Sequence, residues 1–192
     1  SFRQDALIDM RMDKDIELTA ADVLNQYSVA QLQSIFTIYG EIKNAKSLAH
    51  AVVTQRQSAP FKNISHLIEL LESVMHRSDK RNKYLSQVFQ ALRIEVNQEL
   101  RSLEMFLEHA PALLAPRGKL VVITYHSLED RLVKNFIAKG NLHGQEEKDL
   151  YGNIIRPLDS ETRKPIIPTE QEIVENPRAR SAKLRVAIKR DE

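Results

Sequence analysis

The chain has 192 residues, 42% of them hydrophobic and 28% charged, with a formal net charge of +2. That is enough to bury the core of one or two globular domains, and too little charge to imply a nucleic-acid partner by itself. The absence of cysteine excludes disulfides, iron–sulfur clusters and thiolate zinc sites and fits a reducing, cytoplasmic setting.

The longest apolar runs, Leu120 to Thr124 and Pro111 to Ala115, fall far short of the roughly 20 residues of a membrane-spanning helix, so no membrane partner is expected. Ser1 to Asp15 (SFRQDALIDMRMDKD) has no sustained period. Its charges alternate with Leu7, Ile8, Met10 and Met12 as in an ordered loop, and such loops often carry function. Thr19 is expected to cap a short helix through Asn25, and Ser28 a second whose Leu32, Ile35, Phe36 and Tyr39 recur at helical spacing before Gly40. A third helix is predicted over 42–57 with Ala45, Leu48, Ala49, Val52 and Val53 inward, and a fourth, opened by Asn63 or Ser65, with Leu67, Ile68, Leu71 and Val74 inward. These helices form an all-α subdomain, placed with the opening loop in residues 1–83.

The polar stretch Ser78 to Lys83 marks the boundary to a second region, 84–192. It opens with the longest predicted helix, from about Tyr84 to Leu107, whose apolar positions hold an i, i+3, i+4 pattern for six turns. Gln90, Arg93, Asn97 and Arg101 share its other side, either as a solvated face or as a functional row. Leu120 to Thr124 reads as a buried strand running straight into a helix from Ser127 to about Ala138, with Ser127 and Asp130 in capping-box spacing. Ligands bind at the carboxyl ends of strands in open α/β sheets, which makes His126 a candidate lining of an active site. A second strand is expected at Ile154 to Leu158, held to an edge by Pro157, and a short helix at Thr169 to Asn176.

In the last segment Leu184, Val186 and Ile188 alternate with Lys183, Arg185 and Lys189, so one strand face is apolar and the other basic. Six cations between Arg178 and Arg190 concentrate the net charge. They either protect an exposed strand from edge pairing or contact RNA phosphates. The six histidines show no metal-ligand spacing, so no metal site is expected. Five glycines, none in a G-x-G cluster, leave the chain without a dinucleotide or phosphate cradle. Because the chain opens at Ser1-Phe2-Arg3 without methionine, it is expected to be a processed or truncated piece.

Four segments together, SFRQDALIDMRMD from Ser1, QALRIEVNQEL from Gln90, ITYHSLEDRLVK from Ile123 and NPRARSAKLRVA from Asn176, resemble the bacterial ribosomal RNA small subunit methyltransferase H family. The resemblance covers essentially the whole chain in the same order. It implies the C-terminal part of a class I, Rossmann-like α/β methyltransferase sheet with an inserted helical domain, in which the last three strands are neighbours with the final strand between the other two. It implies methyl transfer from S-adenosylmethionine to N4 of a cytosine in 16S rRNA of the small ribosomal subunit, by in-line displacement. The family's glycine-rich loop has no counterpart here, so no cofactor-binding residue is expected in this chain and the fragment alone is expected to be inactive.

By the same resemblance, Asp9, Asn97 and His126 are the candidate catalytic residues. Arg3, Asp9 and Arg11 would close over the target nucleotide, with Arg93 and Asn97 facing the pocket. Phe2 or Tyr125 would stack on the base, and Arg178, Arg180 and Lys183 would hold phosphates. The alternatives are a non-catalytic rRNA-binding or assembly module and a structural helical interaction protein, and an exposed strand edge offers a route to a homodimer.

Overall fold

A computed structural model of the chain describes residues 6–76 and 80–191. The chain divides into two compact units, one ending at Glu99 and the other starting at Leu100, each with its own apolar core.

The first unit is helical: α1 Ala20–Gln26, α2 Val29–Ile38, α3 Ala45–Ser58, α4 Ile64–Val74 and α5 Arg81–Asn97. Thr19 and Ser28 each form a reciprocal capping box, with Asp22 and Gln31, so both helices start with their first-turn donors satisfied. Most of the inward stripes read from sequence are buried, Leu32, Ile35 and Phe36 on α2, Ala45, Leu48, Ala49 and Val52 on α3, Leu67 and Leu71 on α4, whereas Tyr39, Val53, Ile68 and Val74 are half-buried. From Ala6 on, the opening segment is an ordered loop, as its composition suggested. Ile8, 1% exposed, plugs the core, while the amide of Ile8 donates to Lys62 O and that of Ile64 to Ala6 O.

The single helix expected over 84–107 is instead two. α5 stops at Asn97, Gln98 adopts a left-handed conformation (φ 50°, ψ 38°), and α6 resumes over Glu99–Leu113. A hydrophobic repeat cannot register such a break. One left-handed residue satisfies the last carbonyls of α5 while apolar residues continue on both sides. Tyr84, Leu85, Val88, Ala91, Leu92 and Val96 of α5 lie in the core of the first unit, so the structural division falls at residue 99, where the sequence placed a boundary at 83.

In the second unit, β1 Lys119–Thr124, β2 Leu158–Ser160 and β3 Lys183–Lys189 form an antiparallel sheet in the order β1-β3-β2. The last strand thus lies between the other two. Helices α7 Ser127–Lys139 and α8 Glu170–Glu175 complete the unit. β2 starts only at Leu158, directly after Pro157, and Ile154 makes an isolated bridge to Lys148 instead of joining the strand. Proline has no amide to give a ladder, which moves the strand downstream and keeps it at the edge.

The alternation of β3 is present, but its basic face is the covered one. Leu120, Val122 and Thr124 pair with Ala187, Arg185 and Lys183. Leu120 and Ala187 pack with Val133 and Phe136 of α7. On the opposite face Val121 and Ile123 are 55% and 51% exposed. Among the described residues no helix is long and apolar enough to cross a membrane.

Replacing Phe36, which is fully buried in the helical core, by alanine is expected to lower stability by about 3–5 kcal/mol in urea unfolding. Leu150→Ala, at a fully exposed position, is expected to change it by less than about 0.5 kcal/mol. Equal effects at both positions would contradict this assignment of the core.

Candidate functional site

In the first unit, residues 10–12 run beside α5 and leave a groove of about 610 Å³ lined by Met10, Arg11, Met12, Phe89, Gln90 and Arg93. Asn97 fixes the loop to the helix in both directions: its Oδ1 accepts from the amide of Met12 at 2.7 Å and its Nδ2 donates to Met10 O at 2.9 Å. Between those two bonds the chain turns sharply, with Met10 at φ 64°. Asn97 suits this task because a primary amide supplies one donor and one acceptor side by side.

Asp9 and Arg11 form a second clasp. The guanidinium of Arg11 donates to both carboxylate oxygens of Asp9, at 2.7 and 3.0 Å, and to Lys14 O and Ile16 O. The hydrogen bond from Arg11 holds the Asp9 carboxyl below its ordinary value of 3.8 despite some desolvation. Asp9 is therefore an anion at neutral pH, a hydrogen-bond acceptor and a weak base. Arg93 pairs bidentately with Glu99 at 2.8 and 3.0 Å while lining the groove. Four of the residues singled out in the sequence, Asp9, Arg11, Arg93 and Asn97, thus belong to one neighbourhood. Phe2 and Arg3 lie outside the described residues. Sequence reasoning put Phe89 in the inner stripe of the helix, yet it also forms an aromatic wall of the groove.

In the second unit, the turn from β1 into α7 is capped one residue earlier than predicted. His126, not Ser127, is the N-cap: its Nδ1 accepts from the Glu129 amide at 3.4 Å, and the Glu129 carboxylate accepts from the amides of Tyr125 and His126 at 2.7 and 3.3 Å. His126 Nε2 lies 3.4 Å from Glu129 Oε1. His126 is uncommon as a capping residue, and the more familiar Ser127 to Asp130 spacing hid the true box. Tyr125 beside it is 55% exposed.

Asp130, released from capping, accepts from Arg185 Nε at 2.7 Å and Lys183 Nζ at 2.9 Å. Lys183 and Arg185 are thus tied to α7, whereas Arg178 and Arg180, on the 3-10 turn Pro177–Ser181, are exposed and have no acidic partner among the described residues. Burial alone would raise the Asp130 pKa, but the hydrogen bonds from Arg185 and Lys183 outweigh it and leave it below 3.8.

A glycine-rich cradle for S-adenosylmethionine would require glycines at the carboxyl end of a strand. The glycines serve helix ends and loops: Gly140, for example, caps α7 at φ 77°, and a Cβ there would meet Ile155 O at 2.4 Å. None stands at the carboxyl end of β1.

Removing the Asp130 charge leaves Arg185, whose side chain is 13% exposed, without its carboxylate. Asp130→Asn is expected to cost about 2–3 kcal/mol at pH 7. A depressed folded-state pKa contributes stability above the ordinary 3.8 that is lost as pH falls through the folded value. The gap between the two proteins should therefore close below that pH, and a pH-independent gap in chemical denaturation would contradict the ion-pair assignment.

The MraW methylase family model matches residues 1–190. "Ribosomal RNA small subunit methyltransferase H" of Cytophaga hutchinsonii is 52% identical over 187 residues, 97% of this chain and 62% of that protein. The proteins of the same name from Bacteroides thetaiotaomicron and Parabacteroides distasonis are 48% and 47% identical, over 99% and 98% of this chain and 62% of each relative. The chain therefore spans less than two thirds of the length of these relatives. A family match over nearly its whole length, with about half the residues identical to these relatives, places the chain in the MraW methylase family.

Proposed function

We propose that this chain is the substrate-handling part of a methyltransferase that modifies small-subunit rRNA, with S-adenosylmethionine as methyl donor and N4 of a cytosine in 16S rRNA as acceptor. The single observation that carries this reading is the groove beside α5, where residues 10–12 and 90–97 of the segments resembling the family's motifs meet around Asn97. The chain's place in the family gives the reaction class. A Rossmann-like sheet completed by other strands, cytoplasmic location and a homodimer belong to the same proposal.

The groove has the chemistry of a nucleobase site. Phe89 offers a flat apolar wall and Arg93 a planar cation, the two kinds of surface on which an unpaired base stacks. The amino nitrogen of cytosine is a poor nucleophile because its lone pair is delocalised into the ring. A site that activates it must hold the amino hydrogens with acceptors and fix the ring plane. Asp9, kept anionic by Arg11, is one such acceptor. Asn97 acts by holding the loop that bears Met10, Arg11 and Met12 against α5. In the second unit Tyr125 presents an exposed ring, while Arg178 and Arg180 offer charges to phosphates. His126, committed to the helix cap, serves in this proposal to position Tyr125 through the shared Glu129 carboxylate. No role in cofactor binding is assigned to these residues.

The test uses the protein as expressed from its gene, with S-adenosylmethionine and small subunits lacking the modification, and nucleoside mass spectrometry of the rRNA. N4-methylcytidine at one position is expected, with Arg93→Ala and Asn97→Ala lowering the rate at least about tenfold, or about 1.4 kcal/mol in the barrier. Asn97→Ala should also speed hydrogen exchange at the Met12 amide. Rates unchanged in both variants would remove the groove from the site. RNA binding without any methylation would favour the assembly-module reading.

A further inference from the structure

A second concave surface of the helical unit takes no part in the proposed methyl transfer. Lys43, Lys80 and Lys83 border one cavity of about 340 Å³, whose wall also includes Asn44, Tyr84 and Gln87. We propose that this cavity is a docking site for the phosphate backbone of RNA, separate from the groove beside residues 10–12.

The polar groups in the wall are committed to each other. Asn44 Oδ1 accepts from Tyr84 Oη at 3.1 Å, Asn44 Nδ2 donates to Val74 O at 3.1 Å, and Gln87 Nε2 donates to Glu41 O at 3.3 Å. The three exposed lysines, by contrast, have no ion-pair partner among the described residues. Among the described residues Glu41 is the one carboxylate on the rim. Three ammonium groups against one carboxylate around one cavity repel each other, and an anion between them relieves that cost. Many other cations of this chain have the opposite arrangement: Arg81 pairs with Glu72, Lys119 with Glu161 and Arg156 with Asp159.

The wall also discriminates between polyanions. Its apolar members, Ile42 and Tyr84, are each only 4% exposed, so the cavity has no hydrophobic anchor of the kind that dominates protein–protein contacts and no exposed ring for a base. Lysine ammoniums are point charges suited to phosphate oxygens, which position an RNA without reading its sequence. The identification of the polyanion as rRNA rests on the proposed function. The anion site itself does not.

The test is fluorescence anisotropy of a labelled small-subunit rRNA hairpin titrated with the protein expressed from its gene, at roughly 50 to 200 mM KCl, the range over which phosphate contacts reveal themselves. Three phosphate contacts each contribute roughly 0.7 to the slope of log affinity against log salt for single strands. The triple variant Lys43→Gln, Lys80→Gln, Lys83→Gln should therefore lower the slope by about 2, and Lys80→Gln alone by about 0.7. A control triple at exposed Lys62, Lys134 and Lys164 should leave the slope higher than the cavity triple does. Equal slopes in the wild type and the cavity triple, in a protein that methylates cytosine, would overturn the cavity site alone. A lowered slope in a protein that does not methylate would keep the cavity site while removing the methyltransferase reading. Displacement of the hairpin by polyglutamate as readily as by unlabelled RNA would overturn the RNA assignment in favour of an acidic protein partner.

Discussion

One side-chain amide organises the loop and helix that form the candidate groove. Asn97 stands at the last turn of α5 and holds Met10 and Met12 by a donor and an acceptor at once. Only asparagine and glutamine carry a carbonyl oxygen and an amino group on one carbon, and glutamine would set them one methylene farther from the helix. The groove walls, the left-handed turn at Met10 and the Asp9–Arg11 clasp all lie in or beside the loop pinned there. The break at Gln98 belongs to the same arrangement, since it ends α5 at the residue that bears the amide, and Glu99 beyond it pairs with Arg93.

The second unit relies on an ion triad. Asp130 lies on the buried side of α7 and can stay ionised there only because Arg185 and Lys183 meet it from β3. Basic residues thereby occupy the covered face of a strand whose aliphatic residues face outward. Burying one carboxylate between two cations leaves some positive charge near the strand start, where Lys183 is still 42% exposed, close in sequence to Arg178 and Arg180.

Periodicity and capping chemistry made the helical unit readable. The stripes of α2 and α3, the Thr19 and Ser28 caps and the ordered loop from Ala6 to Asp15 all depend on local spacing that a sequence displays directly. The break at Gln98, the cap at His126 and the inward basic face of β3 were not readable for three different reasons. A single left-handed residue leaves the apolar repeat intact. A histidine cap competes with a more familiar serine one residue on. Strand alternation fixes which residues share a face but not which face is covered, because that is decided by Asp130, more than fifty positions away in sequence. For the candidate site, the motifs singled out Asp9, Arg11, Arg93 and Asn97, which the structure brings into one neighbourhood, whereas the wall formed by Phe89 needed the loop in place to be seen.

The central claim is that a target cytosine enters the groove between residues 10–12 and α5. It is tested most directly by photocrosslinking the protein expressed from its gene to a small-subunit rRNA hairpin carrying 5-iodocytidine at the target position, with the crosslinked residue located by peptide sequencing. Attachment at Phe89 or Met12, lost when unmodified hairpin competes, is the expected result. Specific attachment confined to residues remote from the groove, with none at Phe89 or Met12, would contradict it.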